Sequence, residues 1–127
     1  MTDTHLLADD ARRLLDELDR DVPGAAQQTG ECRPAIDVFE TTEAAEVLVD
    51  VAGIVPSALR VAIRKNTVLV VGAKLAPPAA PQVRFHLAER SFGAFARAVR
   101  VTGAFDGGRA RAVVANGVLR VVLPRIE

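Results

Sequence analysis

The sequence predicts an all-β chain, an antiparallel β-sandwich preceded by a short helix. Three observations carry that expectation. From residue 35 onward apolar side chains recur with period two, only the N-terminal stretch has helical spacing, and turn signals separate short runs with no crossover helix between them.

The helix comes first. Leu7, Ala11, Leu14 and Leu18 fall at i, i+4, i+7 and i+11, with Leu15 beside them, while Asp9, Asp10, Arg12, Arg13, Asp16 and Asp19 fill the other positions. Asp3 or Thr4 is placed to cap its start, and Pro23-Gly24 ends it. A lone helix of this length is marginal in water, so its leucines need a cover. Docking on its own domain and packing on another chain are both open. Residues 24–34 are small and polar and read as a linker. The expected organisation is an arm and linker over 1–33 and the sandwich over 34–127.

The strands follow in order. Ala35 to Phe39 alternates, and Val47, Val49 and Val51 oppose Glu46, Leu48 and Asp50. Leu59, Val61 and Ile63 oppose Arg60, Ala62 and Arg64. Val68 to Val71 is an unbroken apolar run, as in a strand buried on both sides. Pro77, Pro78 and Pro81 mark an extended loop that cannot sit in a central ladder. Phe95, Arg97, Val99 and Val101 alternate with Ala96, Ala98 and Arg100. Residues 109–115 and 118–123 form the last pair, with Asn116-Gly117 between them and Asp106-Gly107-Gly108 before them. Asn-Gly between two such runs signals a type I′ hairpin, because both turn positions need positive φ.

Composition narrows the function. At 127 residues the chain holds one core. A single cysteine, Cys32, rules out an intrachain disulfide and a cysteine-based metal cluster, and reads as a spectator thiol. No run is long and apolar enough to span a bilayer, and Met1 to Asp10 lacks the pattern of a signal peptide, so the expectation is a soluble, cytoplasmic protein. Residues 1–34 carry a net charge of −4 and residues 83–127 a net of +5, but the late arginines alternate along strands as solvent-facing residues do. No nucleic-acid partner is expected from them. Two serines (Ser57, Ser91) and two histidines (His5, His86) are the sparse material for nucleophilic catalysis, and neither serine sits in a G-x-S-x-G elbow. There is no P-loop and no carboxylate cluster with metal-ligand spacing. No catalytic, cofactor-binding or metal site is expected.

The run Phe85-His86-Leu87-Ala88-Glu89-Arg90-Ser91-Phe92-Gly93-Ala94-Phe95-Ala96-Arg97 resembles the E-R-x-(aromatic)-G-x-F-x-R signature of the small heat-shock proteins, the α-crystallin domain family, in its bacterial type. Ala112 to Leu119 resembles that family's A-x-x-x-N-G-V-L, and Pro124-Arg125 its closing Pro-Lys. Pro34 to Thr41 resembles its opening strand, Asp50-Val51-Ala52-Gly53-Ile54 its D-L-P-G-V, and Leu69-Val70-Val71-Gly72 its L-x-I-x-G. Together these motifs run in order over about residues 34–125.

The resemblance implies an immunoglobulin-like sandwich and an ATP-independent holdase chaperone that captures partly unfolded client proteins, with no cofactor and no membrane partner. It implies a homodimer, and a larger homo-oligomer as a further state, formed by exchanging a strand on the loop of residues 73–88. Val83, Arg84, Phe85 and His86 would be that strand, pairing with Ile36, Val38 and Phe39 of the partner. It further implies a groove for clients or tails between the strand at 59–64 and the strand at 112–115, lined by Val61, Ile63, Val113 and Val114. Leu7, Leu14, Leu15 and Leu18 would form a second client surface. Three departures stand out. Ala52 replaces the family's proline, Val101-Thr102 replaces Leu-Pro, and the sequence ends at Glu127 without the I-x-I tail. The last leaves a truncated chain, assembly limited to dimers, or assembly held by the N-terminal arm. The competing readings are a CS-domain-like co-chaperone, expected to be monomeric, and a structural protein-interaction module on an assembly such as a gas vesicle.

Overall fold

The computed structural model describes residues 3–25, 32–77 and 82–126, with helix side chains from residue 9 onward. Helix α1 spans Asp3–Asp21. The strands are β1 (Ile36–Glu40), β2 (Ala44–Asp50), β3 (Leu59–Arg64), β4 (Thr67–Lys74), β5 (Gly93–Arg100), β6 (Arg111–Ala115) and β7 (Val118–Pro124). They form a four-stranded sheet in the order β1-β2-β7-β6 and a three-stranded sheet in the order β3-β4-β5. Every pairing is antiparallel, and the two sheets enclose the core of a β-sandwich.

Period two does most of this work. Val47 and Val49 from β2, Val51 just after it, Leu119, Val121 and Leu123 from β7, and Val68 and Val70 from β4 are all in the core and 2 % exposed or less. The alternate residues of β4, Leu69 and Val71, point the other way and are just as well covered, at 4 % and 0 %. Their cover is α1. Leu14 packs on Leu69 and Val71, with Ala11, Leu15 and Ala62 around them, and Leu18 reaches the main core at 0 % exposure. The unbroken apolar run at 68–71 is thus explained by a helix on one side and the sandwich core on the other.

Charges fix the docked helix. The Asp10 carboxylate accepts a hydrogen bond from Arg64 of β3 at 3.0 Å and pairs with Arg13 at 3.2 Å, and Asp21 pairs with Arg60. The helix ends where Pro23-Gly24 says it should: Gly24 takes φ 85° and its N–H donates to Asp19 Oδ1 at 3.0 Å. The segment read as a linker is anchored at both ends, with Ala25 fully buried and Pro34 buried too. Residues 26–31 lie outside the described part. No described helix is long and apolar enough to cross a membrane.

Motifs distant in sequence meet in the sandwich. Gly72 of β4 pairs with Phe95 of β5, and a Cβ on Gly72 would stand 2.8 Å from both the Phe95 ring and the Ala58 carbonyl oxygen. Only glycine leaves room for that ring. Asn116 and Gly117 take φ of 54° and 78°, so the β6–β7 hairpin turns as the Asn-Gly pair predicts. The Gly117 carbonyl accepts from the Val51 N–H at 2.8 Å, which joins that turn to the Asp50–Ile54 loop. These motifs, far apart in the chain, are thus held together by direct contact.

Candidate protein-interaction surfaces

The sandwich leaves open edges, and these collect the apolar residues that the core does not take. All five residues of β6 are exposed, Val113 at 61 % and Val114 at 39 %. Such an edge offers unpaired backbone N–H and C=O groups beside small apolar side chains, which suits it to an incoming strand. Val61 and Ile63 of β3 are half-buried against the core, opposite Val70 and Val68. They face the interior from the edge of the other sheet. Val114 shares its register with Leu119 and so faces the same interior. Val113 is opposite Arg120 and points to the outer face. Of the four groove residues read from the sequence, strand alternation keeps Val61, Ile63 and Val114 on the inward side and sets Val113 on the other.

Gly107, in a 3-10 turn over Gly107–Arg109, closes one end of this region. It lies so near β3 that an added Cβ would overlap the Lys65 carbonyl and stand 3.1 Å from the Ile63 side chain. Beyond it a cavity of about 730 Å³ opens at the end of the sandwich, lined by Arg64, Lys65, Arg100, Phe105, Gly107 and Ile126 among others. The candidate groove residues are not on its wall.

A second surface lies at β1, the other edge of the four-stranded sheet. Val38 and Phe39 are 44 % and 43 % exposed, while Ile36 is half-buried. The segment Val83-Arg84-Phe85-His86 is exposed and forms no strand within the chain. Phe85 and Leu87 are each 74 % exposed, more than any other large apolar residue described, and Val83 is 57 % exposed. Leu87 belongs with this set although the sequence reading stopped at His86; its signal was the same period-two spacing, continued for one more step.

The leucines of α1 stand differently. Leu14 is 7 % exposed, Leu18 is fully buried and Leu15 half-buried, so the chain's own sheet covers the face that was read as a client surface. The side chain of Leu7 lies outside the described residues. Across the outer face of the four-stranded sheet, Arg120 donates to Glu46 Oε1 at 2.7 Å. That hydrogen bond, and then the charge of Glu46, raise the Arg120 guanidinium above the ordinary arginine range.

An open-edged sandwich assembled from these interlocking motifs has counterparts. Residues 37–127 match the Hsp20/alpha crystallin family. The chain belongs to that family. It is 36 % identical over 92 residues to spore protein SP21 of Stigmatella aurantiaca, covering 72 % of this chain and 54 % of that protein. It is 28 % identical over 103 residues to heat shock protein 16 of Schizosaccharomyces pombe, covering 80 % of this chain and 72 % of the relative. The chain thus spans about half the length of the first of these relatives. Its structure is similar to that of heat shock protein 16.0 from S. pombe, with a TM-score of 0.71 and 27 % identity over 76 % of this chain and 90 % of that one. Both sheets and the E-R-S-F-G-A-F-A-R segment fall within a small heat-shock protein fold.

Proposed function

We propose that this small heat-shock protein is an ATP-independent holdase that binds partly unfolded proteins in the cytoplasm and keeps them from aggregating. The observation that carries the reading is the exposure of the whole of β6, with Val113 and Val114 uncovered, at the edge of a sandwich of this family. An unfolding client exposes apolar patches and unpaired strand segments, and an open edge can take both. Val61, Ile63 and Val114 line the inward side of the client groove, and Val113 extends it outward. The leucines of α1 supply a second client surface when the helix leaves the sheet. The working unit is a homodimer in which Val83 to His86 of one copy adds to Ile36, Val38 and Phe39 of the other, and larger homo-oligomers build on it. Neither a cofactor nor a nucleic acid or membrane partner enters this mechanism.

The test is light scattering from a heat-labile model protein, with this chain at substoichiometric to equal ratios and its own mass followed in parallel. Scattering should fall without ATP, with the chain at dimer mass or above. A folded chain that leaves scattering unchanged at every ratio would overturn the holdase reading. Phe85→Asp should shift the mass toward monomer, and an unchanged mass would refute strand exchange.

A further inference from the structure

We propose that the segment Val83–Leu87 of a second copy adds antiparallel to β1 in one register, with Phe85 opposite Val38 and His86 opposite Asp37, and that acidification therefore tightens the pairing. The proposal rests on the strand-exchange reading above and specifies its register and regulation.

The backbone decides which groups β1 offers. Thr41 N–H donates to the Ala44 carbonyl at 2.7 Å and Asp50 N–H to the Ala35 carbonyl at 3.1 Å, both in line with the β1–β2 register. Antiparallel ladders alternate, so Asp37 and Phe39 also bond toward β2, and the N–H and C=O groups of Ile36, Val38 and Glu40 point to the open edge. These same three residues have inward-facing side chains, since Val38 is aligned with Val47 and, through it, with Val121. Asp37 and Phe39 face outward.

The incoming segment has a matching alternation. Residues 82–90 are all exposed, with Val83, Phe85 and Leu87 on one side of an extended chain and Arg84 and His86 on the other. Turning the apolar side inward sets Val83, Phe85 and Leu87 against Glu40, Val38 and Ile36. A one-residue slip would turn all three outward. A two-residue slip one way puts Pro81, which has no N–H to donate, opposite Glu40. The slip in the other direction puts the Glu89 carboxylate on the inward side, opposite Ile36. Only this register makes every edge hydrogen bond and keeps the Glu89 carboxylate away from Ile36.

That register brings His86 opposite a carboxylate. Asp37 and Asp50 line a hollow of about 110 Å³ on the outer face, with Ala35, Leu48 and Val118 as its other walls and no basic side chain among them. Asp37 makes no ion pair among the described residues. The next charges on the sheet are Glu46 and Arg120, which engage each other. From the segment itself, Arg84 lies on the same face as His86 and Glu89 on the opposite one. Protonation of the imidazole sets a positive charge opposite the Asp37 carboxylate. A cross-strand pair of opposite charges then forms at each of the two equivalent edges, worth about threefold per edge and about tenfold for a twofold dimer.

Disulfide trapping in a Cys32→Ser background tests the register. Asp37→Cys with His86→Cys should give an intermolecular disulfide, while Asp37→Cys with Arg84→Cys and Phe39→Cys with His86→Cys, which trap the two slipped registers, should not. If a slipped pair bridges instead, exchange stands and the register falls. If no pair bridges between copies, strand exchange itself falls. Dimer dissociation measured from pH 7.5 to 5.5 should tighten about tenfold in the unmodified chain and stay flat in Asp37→Asn. A flat profile in the unmodified chain overturns the pH dependence.

Discussion

The outer faces of the two sheets make an instructive pair. On the three-stranded sheet, β4 places Leu69 and Val71 outward and α1 covers both, so apolar residues fill every position from 68 to 71. On the four-stranded sheet the outward row Asp37, Leu48, Arg120 and Val113 mixes charge with apolar side chains and has no covering element among the described residues. The same backbone architecture thus has one face covered over β3 and β4 by the chain's own helix, with Ala96 and Ala98 of β5 left exposed, and one face left in contact with solvent. The difference is written at single-residue spacing, since a strand covered on both sides loses its alternation and a strand covered on one side keeps it. In this molecule the sealed face supplies stability, and the open sheet carries β1 and β6, the edges proposed to bind other chains.

The sharpest way to break this contrast is at the seal. Leu18 is fully buried and joins α1 to the core that Val47, Val70 and Leu123 share. Leu18→Ala should cost about 2–5 kcal/mol of stability by lost burial and the cavity left behind. Urea unfolding followed by circular dichroism measures it. A loss below about 1 kcal/mol would mean that the helix is not an integral part of the fold in solution.

Much of this arrangement was legible in the sequence. Seven strand-like runs, the Asn-Gly turn and the helix ending at Pro23-Gly24 follow from period, turn chemistry and capping, each a local property. The docking of α1 was half legible. The unbroken run at Val68–Val71 called for two covers, and the leucines of the helix needed one, but nothing in either pattern said that they satisfied each other. That pairing depends on a contact between segments some fifty residues apart, fixed by Asp10–Arg64 and Asp21–Arg60, and charge pairs of that kind have no period. The split between Val113 and Val114 was legible too, because neighbouring strand residues face opposite ways. Gly107 escaped as anything more than a turn residue, for its constraint is the nearness of Lys65 and not its own dihedral angles.

A smaller effect should come from the charges at the rim of the seal. The Asp10 side chain is 10 % exposed between Arg13 and Arg64, whose own side chains are 58 % and 53 % exposed. Asp10→Asn leaves both arginines free to turn to water, so the cost should be roughly 0.5–1 kcal/mol, less than for truncating Leu18. Urea midpoints compared at about 0.05 M and 1 M salt should converge between Asn and Asp, because salt screens what remains of the pairing. A difference that persists unchanged at high salt would assign the role of Asp10 to hydrogen bonding and shape instead of charge.

The smallest effect on stability should fall on the open face, and there it sharpens the contrast most. Val113→Thr keeps the β-branched shape at a position 61 % exposed, so stability should change by no more than about 0.5 kcal/mol. The hydroxyl removes apolar character where a client would touch β6. If stability holds while suppression of client scattering weakens, the outward face of β6 is a binding surface distinct from the inward groove of Val61, Ile63 and Val114. If both stability and suppression hold, binding is confined to the inward side, and the companion change Val114→Thr should then weaken suppression alone. A stability loss comparable to that of Leu18→Ala would break the comparison itself, since it would mean that the open face is as tightly packed in solution as the sealed one.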